Sequence, residues 1–229
     1  MFPIKDDQPR YSTPLVNWFL IALNILVFLF ESSLDRRGLR FLFEQFSLIP
    51  ANVLALGTVH SLLQVALSFF TSMFLHEGWP HVLGNMWFLF IFGDNVEDYL
   101  GHFQYLVFYL LTGVFADAAQ IAASPHSHLG MVGASGAIAG VLGAYFILYP
   151  RARVLTWFFV FVLYLPAWIV LGEWFALQFL AGAASLSTVN ASRDMGGVAF
   201  WAHVGGFIAG IVMIKIFPER RRRSPYAYQ

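Results

Sequence analysis

The sequence predicts an all-α integral membrane protein: a bundle of six transmembrane helices with an interfacial first loop. Three observations carry that prediction. Of 229 residues, 59% are hydrophobic and only 11% charged, whereas an ordinary soluble domain carries about 25% charged residues. The apolar residues gather in six runs near the ~20 residues that a helix needs to cross a bilayer core of about 30 Å. The basic residues sort by loop, as an even number of crossings requires. The mean hydropathy, +0.67, agrees.

The runs lie roughly at 14–31, 80–98, 101–121, 134–150, 155–182 and 198–217. Between the first two, the stretch from Glu31 to Gly78 is apolar but broken by charge, proline and glycine, so it is expected to lie on the interface or dip into it. A seventh span at 53–75 is the rival, and charge argues against it. Lys5, Arg10, Arg151, Arg153, Lys215 and Arg220 to Arg223 fall on one side of a six-span chain, and only Arg36, Arg37, Arg40 and Arg193 on the other. The positive-inside rule then puts both termini in the cytoplasm. The expected organisation is a short cytoplasmic N-terminus at 1–13, a six-span domain at 14–217 and a basic cytoplasmic tail at 218–229.

Composition excludes several classes. The formal net charge is zero, so no nucleic-acid partner is expected. There is no cysteine, which removes disulfides, thiolate metal sites and cysteine nucleophiles. The start, MFPIKDDQPR, is too polar for a cleaved signal peptide. No internal repeat or pair of broken helices suggests a transporter.

Under this topology three polar groups gather in the outer leaflet. Ser135 opens the fourth span within GASGAIAG, His203 lies just inside the sixth within WAHVGGFIAG, and His81 and Asn85 open the second. Each has a plain structural reading. Gly136 and Gly140, like Gly206 and Gly210, have the spacing that lets helices approach closely, and His81 and Asn85 share a helix face as an interhelical clasp would. Together they read differently. Ionisable residues inside a membrane are costly and face a bundle interior or wet cavity, and a serine with a histidine makes a nucleophile and its base. His81 with Asn85, and the N-terminus of the fourth helix, are placed where negative charge would develop.

HEGWPHVLGNMWFLFIFGDNVEDYLG, GASGAIAGVLGAY and WAHVGGFIAG, in this order, resemble the rhomboid intramembrane serine proteases. The resemblance covers nearly all of the chain from the first span to the sixth. It implies a rhomboid-like bundle in which Ser135 is the nucleophile and His203 the general base, without a carboxylate. It implies that His81, Asn85 and the Ser135 N–H line the oxyanion hole, and that His76, Gly133 and Gly136 shape the site. The fifth span and the loop before the sixth would be a mobile gate. The chain departs from the family in three places. Ala139 stands where an aromatic often packs on the histidine, the Trp-Arg pair of many first loops is absent although Arg40 lies nearby, and Glu173 interrupts the fifth span.

Other readings fit less well. His76 and His81 are five apart with Pro80 between them, whereas a helical zinc pair needs four. Neither metal nor any other cofactor is expected. A catalytically silent relative that binds or escorts clients is the rival from another class, but such relatives typically lose the serine or the histidine. The expected partners are transmembrane protein substrates and the lipid bilayer, and the expected site is a bacterial cell membrane.

Overall fold

The computed structural model describes residues 1–55, 61–187 and 199–220. Strand β1 (Phe2–Asp6) precedes α1 (Leu15–Ser33), the short helices α2 (Arg36–Phe46), α3 (Pro50–Leu54) and α4 (Leu62–Thr71), and then α5 (Trp79–Leu100), α6 (His102–Ala123) and α7 (Ser135–Leu148). Strands β2 (Arg153–Phe158) and β3 (Phe161–Pro166) lead into α8 (Ala167–Ser187), and α9 (Phe200–Met213) follows.

Among the described residues α1, α6 and α8 are long and apolar enough to cross a membrane. α5 has 22 residues but collects Asp94, Glu97 and Asp98 toward its end, and α7 and α9 are apolar helices of 14 residues each. Among the described residues of 53–75 the helix α4 has 10 residues, about 15 Å. The loop before α9, expected as part of a gate, and Arg193 within it lie outside the described residues, as does the tail from residue 221.

The expectation of an all-α fold, with a fifth span starting near 155, needs correction. Residues 153–166 form an antiparallel hairpin, with β1 added to β2 in the order β1-β2-β3. Phe2 faces Trp157, and Val154 faces Leu165. The helix begins only at Ala167, directly after Pro166. A continuous apolar run does not distinguish helix from strand by periodicity. Here β-branched and aromatic residues, RVLTWFFVFVLYLP, favour the strand, and Pro166 ends it immediately before the helix. The tip turns at Phe159, whose φ of 53° is a conformation that glycine adopts more cheaply. β1 packs on α5, where Trp87 Nε1 donates to the Pro3 carbonyl at 2.8 Å, while β2 and β3 pack on α8. The sheet therefore joins the flanks of α5 and α8.

One group in that sheet carries a pH dependence. Tyr145 Oη donates to Asp6 Oδ2, yet burial outweighs this bond and pushes the Asp6 carboxyl up from 3.8 to about 6. The folded state thus holds the Asp6 proton more tightly than the unfolded state. Its contribution to stability is complete below about pH 4 and is lost as pH rises through about 6. Asp6→Asn should flatten this window: the fall in Tm between pH 4.5 and 7.5 should shrink by a few degrees, at about 2–4 °C per kcal/mol for a chain of this size. An unaltered Tm-against-pH curve would remove Asp6 from the account.

α7 is the central helix, packed by α5, α6 and α9. Glycine makes its contact with α9 a backbone contact. A Cβ on Gly210 would stand 2.0 Å from Gly140 O, one on Gly206 2.1 Å from Gly136 O, and one on Gly143 2.1 Å from Phe207 O. Backbone cannot give way as a side-chain tip does. Gly210→Val should therefore cost at least the ~1–3 kcal/mol of an overpacked core, seen as a Tm lowered by roughly 5 °C or more. A Tm unchanged within a degree would show that the two helices do not meet there.

The ends of the bundle differ. At one end Arg220 N donates to Tyr99 O at 2.8 Å, Arg10 pairs with Asp94 at 3.2 Å, and Arg153 and Asp7 exchange backbone and side-chain bonds. Buried Glu97 accepts from the Val16 and Asn17 N–H groups at 2.9 and 2.7 Å, satisfying donors that the first turn of α1 leaves open. Arg10, Arg153 and Arg220, three of the basic residues expected on one side, thus share one end. The opposite end collects the first turns of α5, α7 and α9.

Candidate active site

Ser135 is the first residue of α7, so its N–H lacks a carbonyl partner within the helix. The chain reaches it through Gly133, which has φ of 118° and donates its N–H to Ser72 O at 2.9 Å. A Cβ on Gly133 would lie 2.6 Å from His81 Nε2. Both the backbone angle and the space demand glycine here. At Gly136, beside the serine, a Cβ would meet the Ala116 Cβ at 2.7 Å, so glycine there lets α6 and α7 approach.

The α7–α9 backbone contact brings His203 beside the serine. His203 Nε2 lies 2.8 Å from Ser135 Oγ. The N-terminus of α9 is itself held by Gln120, whose Oε1 accepts from Trp201 N and Ala202 N at 3.1 and 3.2 Å. On the other ring edge, His203 Nδ1 lies 2.7 Å from Gln178 Oε1. An amide oxygen only accepts, so Nδ1 carries the proton and Nε2 accepts from the serine hydroxyl. That is the arrangement in which an imidazole removes a hydroxyl proton.

The missing aromatic has a substitute. Ala139 is fully buried and lies 3.2 Å from where a Cβ on Gly206 would stand, so the close helix crossing leaves no room for a ring. The Trp174 ring, from α8, lies 5.7 Å from the His203 ring, tilted by 40°. Trp174 and Gln178 are four apart and so share a helix face. Sequence reading missed both residues, although a tryptophan and an amide at that spacing in an apolar span were a readable signal. Glu173 lies on another face, 3.3 Å from the Met1 nitrogen.

From α5, His81 and Asn85 face the same space. Asn85 Nδ2 donates to His76 Nε2 at 3.0 Å, which leaves its second N–H for the cavity. His76 is held in turn: its Nδ1 donates to Phe74 O at 3.3 Å, and its backbone N–H donates to the Glu31 carboxylate at 3.2 Å. Both ring nitrogens of His76 are thus engaged, which leaves none for a metal. His76 supports Asn85 from behind, while Ser135, His203, His81 and Asn85 line a cavity of about 450 Å³ with Trp174 and Gln178. Three helix N-termini point at this end, and their partial positive charge favours an anion.

The Rhomboid domain family matches residues 63–220. The chain is 26% identical over 217 residues to rhomboid-like protein 11, chloroplastic, of Arabidopsis thaliana, covering 92% of this chain and 68% of that protein. It is 31% identical over 150 residues to rhomboid protein 1, mitochondrial, of Saccharomyces cerevisiae, covering 64% of this chain and 40% of that protein. Similarity to the presenilin-associated rhomboid-like protein, mitochondrial, of Bos taurus is 27% over 179 residues, 67% of this chain and 43% of that one. The chain thus spans less than half of the two mitochondrial relatives. These relatives are named for chloroplast and mitochondrion, and the expectation of a bacterial membrane finds no support in them.

Proposed function

The chain belongs to the rhomboid family, and from that premise we propose that it is an intramembrane serine endopeptidase that cleaves transmembrane proteins with a Ser135–His203 dyad. The observation that carries this reading is the 2.8 Å contact between His203 Nε2 and Ser135 Oγ inside a cavity that also presents His81 and Asn85. In the first step His203 Nε2 takes the hydroxyl proton as Oγ bonds to the scissile carbonyl carbon. The carbonyl oxygen becomes an oxyanion, held by the Ser135 N–H, His81 and Asn85. His203 then returns the proton to the leaving amine, and a water activated by the same nitrogen releases the acyl group. No cofactor takes part.

The substrate class follows from the location of the site. A helical client hides its carbonyls in its own hydrogen bonds, so the segment must unwind to present one. Small or helix-breaking residues near the scissile bond are favoured. The test is cleavage of a generic transmembrane substrate by purified protein in detergent, beside Ser135→Ala. Absence of product from the folded wild-type protein would favour a catalytically silent escort instead.

The membrane topology belongs to the same proposal: α1, α5, α6, α7, α8 and α9 each cross, and both termini face the cytoplasm. Because the chain is free of cysteine, single-cysteine labelling is clean. Ser224→Cys should resist an impermeant thiol reagent added outside intact cells and react after lysis. Reaction from outside would reverse or break the six-span arrangement.

A further inference from the structure

The two residues that orient His203 both come from α8, neither from its own helix nor from that of the serine. The glycine contacts between α7 and α9 fix how far apart Ser135 and His203 stand. They do not fix the rotation of the imidazole ring or which nitrogen bears its proton. Gln178 Oε1, 2.7 Å from Nδ1, settles the tautomer. The tilted Trp174 ring, 5.7 Å away, limits the rotation.

We infer that Gln178 is a positioning residue that holds His203 with its lone pair on Nε2, and that the dyad is therefore complete only while α8 is docked on α9. The inference rests on the catalytic reading of Ser135 and His203. A neutral acceptor suits the place, because a carboxylate in an apolar span would carry a desolvation cost that an amide avoids. α8 is also the least buried of the three long apolar helices, although Ala167, Val170 and Leu171 at its start sit in the core. It turns Trp168, Leu177, Phe179, Leu180 and Leu186 outward, while α7 is buried along most of its length. Its hold on α9 is local: Phe175 stacks on Phe207 at 4.7 Å, and Phe179 meets Trp201 edge-on at 5.9 Å. Displacing α8 removes acceptor and ring from His203 together, leaving serine and histidine adjacent but the base free to turn.

The test uses Gln178→Met, which keeps the volume and removes the strong acceptor, and Gln178→Glu, which keeps an acceptor oxygen. In the full-length protein Gln178→Met should lower kcat about 10- to 100-fold, with KM within about twofold. It should slow fluorophosphonate labelling of Ser135 equally, a partial loss of the ~10²–10⁴-fold that a positioned base supplies. Gln178→Glu should recover most of that rate. To separate the lost acceptor from a displaced helix, both variants are repeated with α8 tied to α9 by Gly182→Cys and Phe200→Cys. A Cβ at Gly182 would stand 3.4 Å from that of Phe200, close to the ~3.5–4.5 Å of a disulfide. Gln178→Met should remain slow when cross-linked. Full kcat in Gln178→Met, equal losses in the Met and Glu variants, or recovery on cross-linking would each overturn the role of Gln178. Failure of the wild-type protein to label at Ser135 would instead sink the catalytic reading on which it rests.

Discussion

Replacing Ser135 by Ala, or His203 by Ala, is expected to abolish both fluorophosphonate labelling and cleavage of a transmembrane substrate. A serine hydroxyl is a poor nucleophile until a base takes its proton, and no second base lies within the described lining of the cavity at a comparable distance. His81 lies beside Gly133, its Nε2 2.6 Å from where a Cβ on that glycine would stand. The loss should be at least about 10³-fold for each variant, and the double variant no worse than either, since nucleophile and base act as one unit. Asp94 and Asp98 lie at the far end of the bundle, bonded to Arg10 and Ser12 respectively, so their substitution should leave the chemistry running in protein that still folds. Robust labelling of folded His203→Ala protein would refute the dyad.

The second large effect is expected at Asn85. Removing one preorganised oxyanion donor lowers kcat by about 10²–10³ in a soluble serine protease, and Asn85→Ala should fall in that range. The Ser135 N–H and His81 remain, so some activity should persist, with KM little altered. Truncation also leaves His76 Nε2 without its 3.0 Å donor in a buried position. Some loss of thermal stability should therefore accompany the kinetic loss. Full activity in Asn85→Ala would take this side chain out of the site.

Much of the site was legible because it violates its surroundings. A serine and histidines within apolar runs demand an explanation, and the glycine spacing of GASGAIAG and WAHVGGFIAG announced the close α7–α9 contact that the structure contains. The starts of the helices from α5 to α7 and of α9 fell within a few residues of expectation, since Pro80, Gly101 and Ser135 punctuate them. The hairpin at 153–166 was not legible in the same way. Strand and helix bury an apolar run equally well, and the strand here is completed by pairing with β3 and with β1, the latter about 150 residues away in the chain. The support of His203 was missed for a related reason. The expected aromatic was sought on α7, where Ala139 leaves no room beside Gly206, and the ring arrives from a helix distant in sequence. Glu173 drew attention by its charge, while the neutral Gln178 five residues on makes the closer contact.

The pairing of β1 with β2 has a consequence in time. Phe2 is made well before its partner Trp157, which emerges only about 8–30 s later at ~5–20 residues per second. Throughout that interval α1 and the helices after it can meet the bilayer, while the first six residues have no strand to join. Pairing so distant in sequence forms late, after local helices have formed. β1, translated before the helices, is thus among the last elements to reach its native place, and it does so by fastening a hairpin made after seven helices.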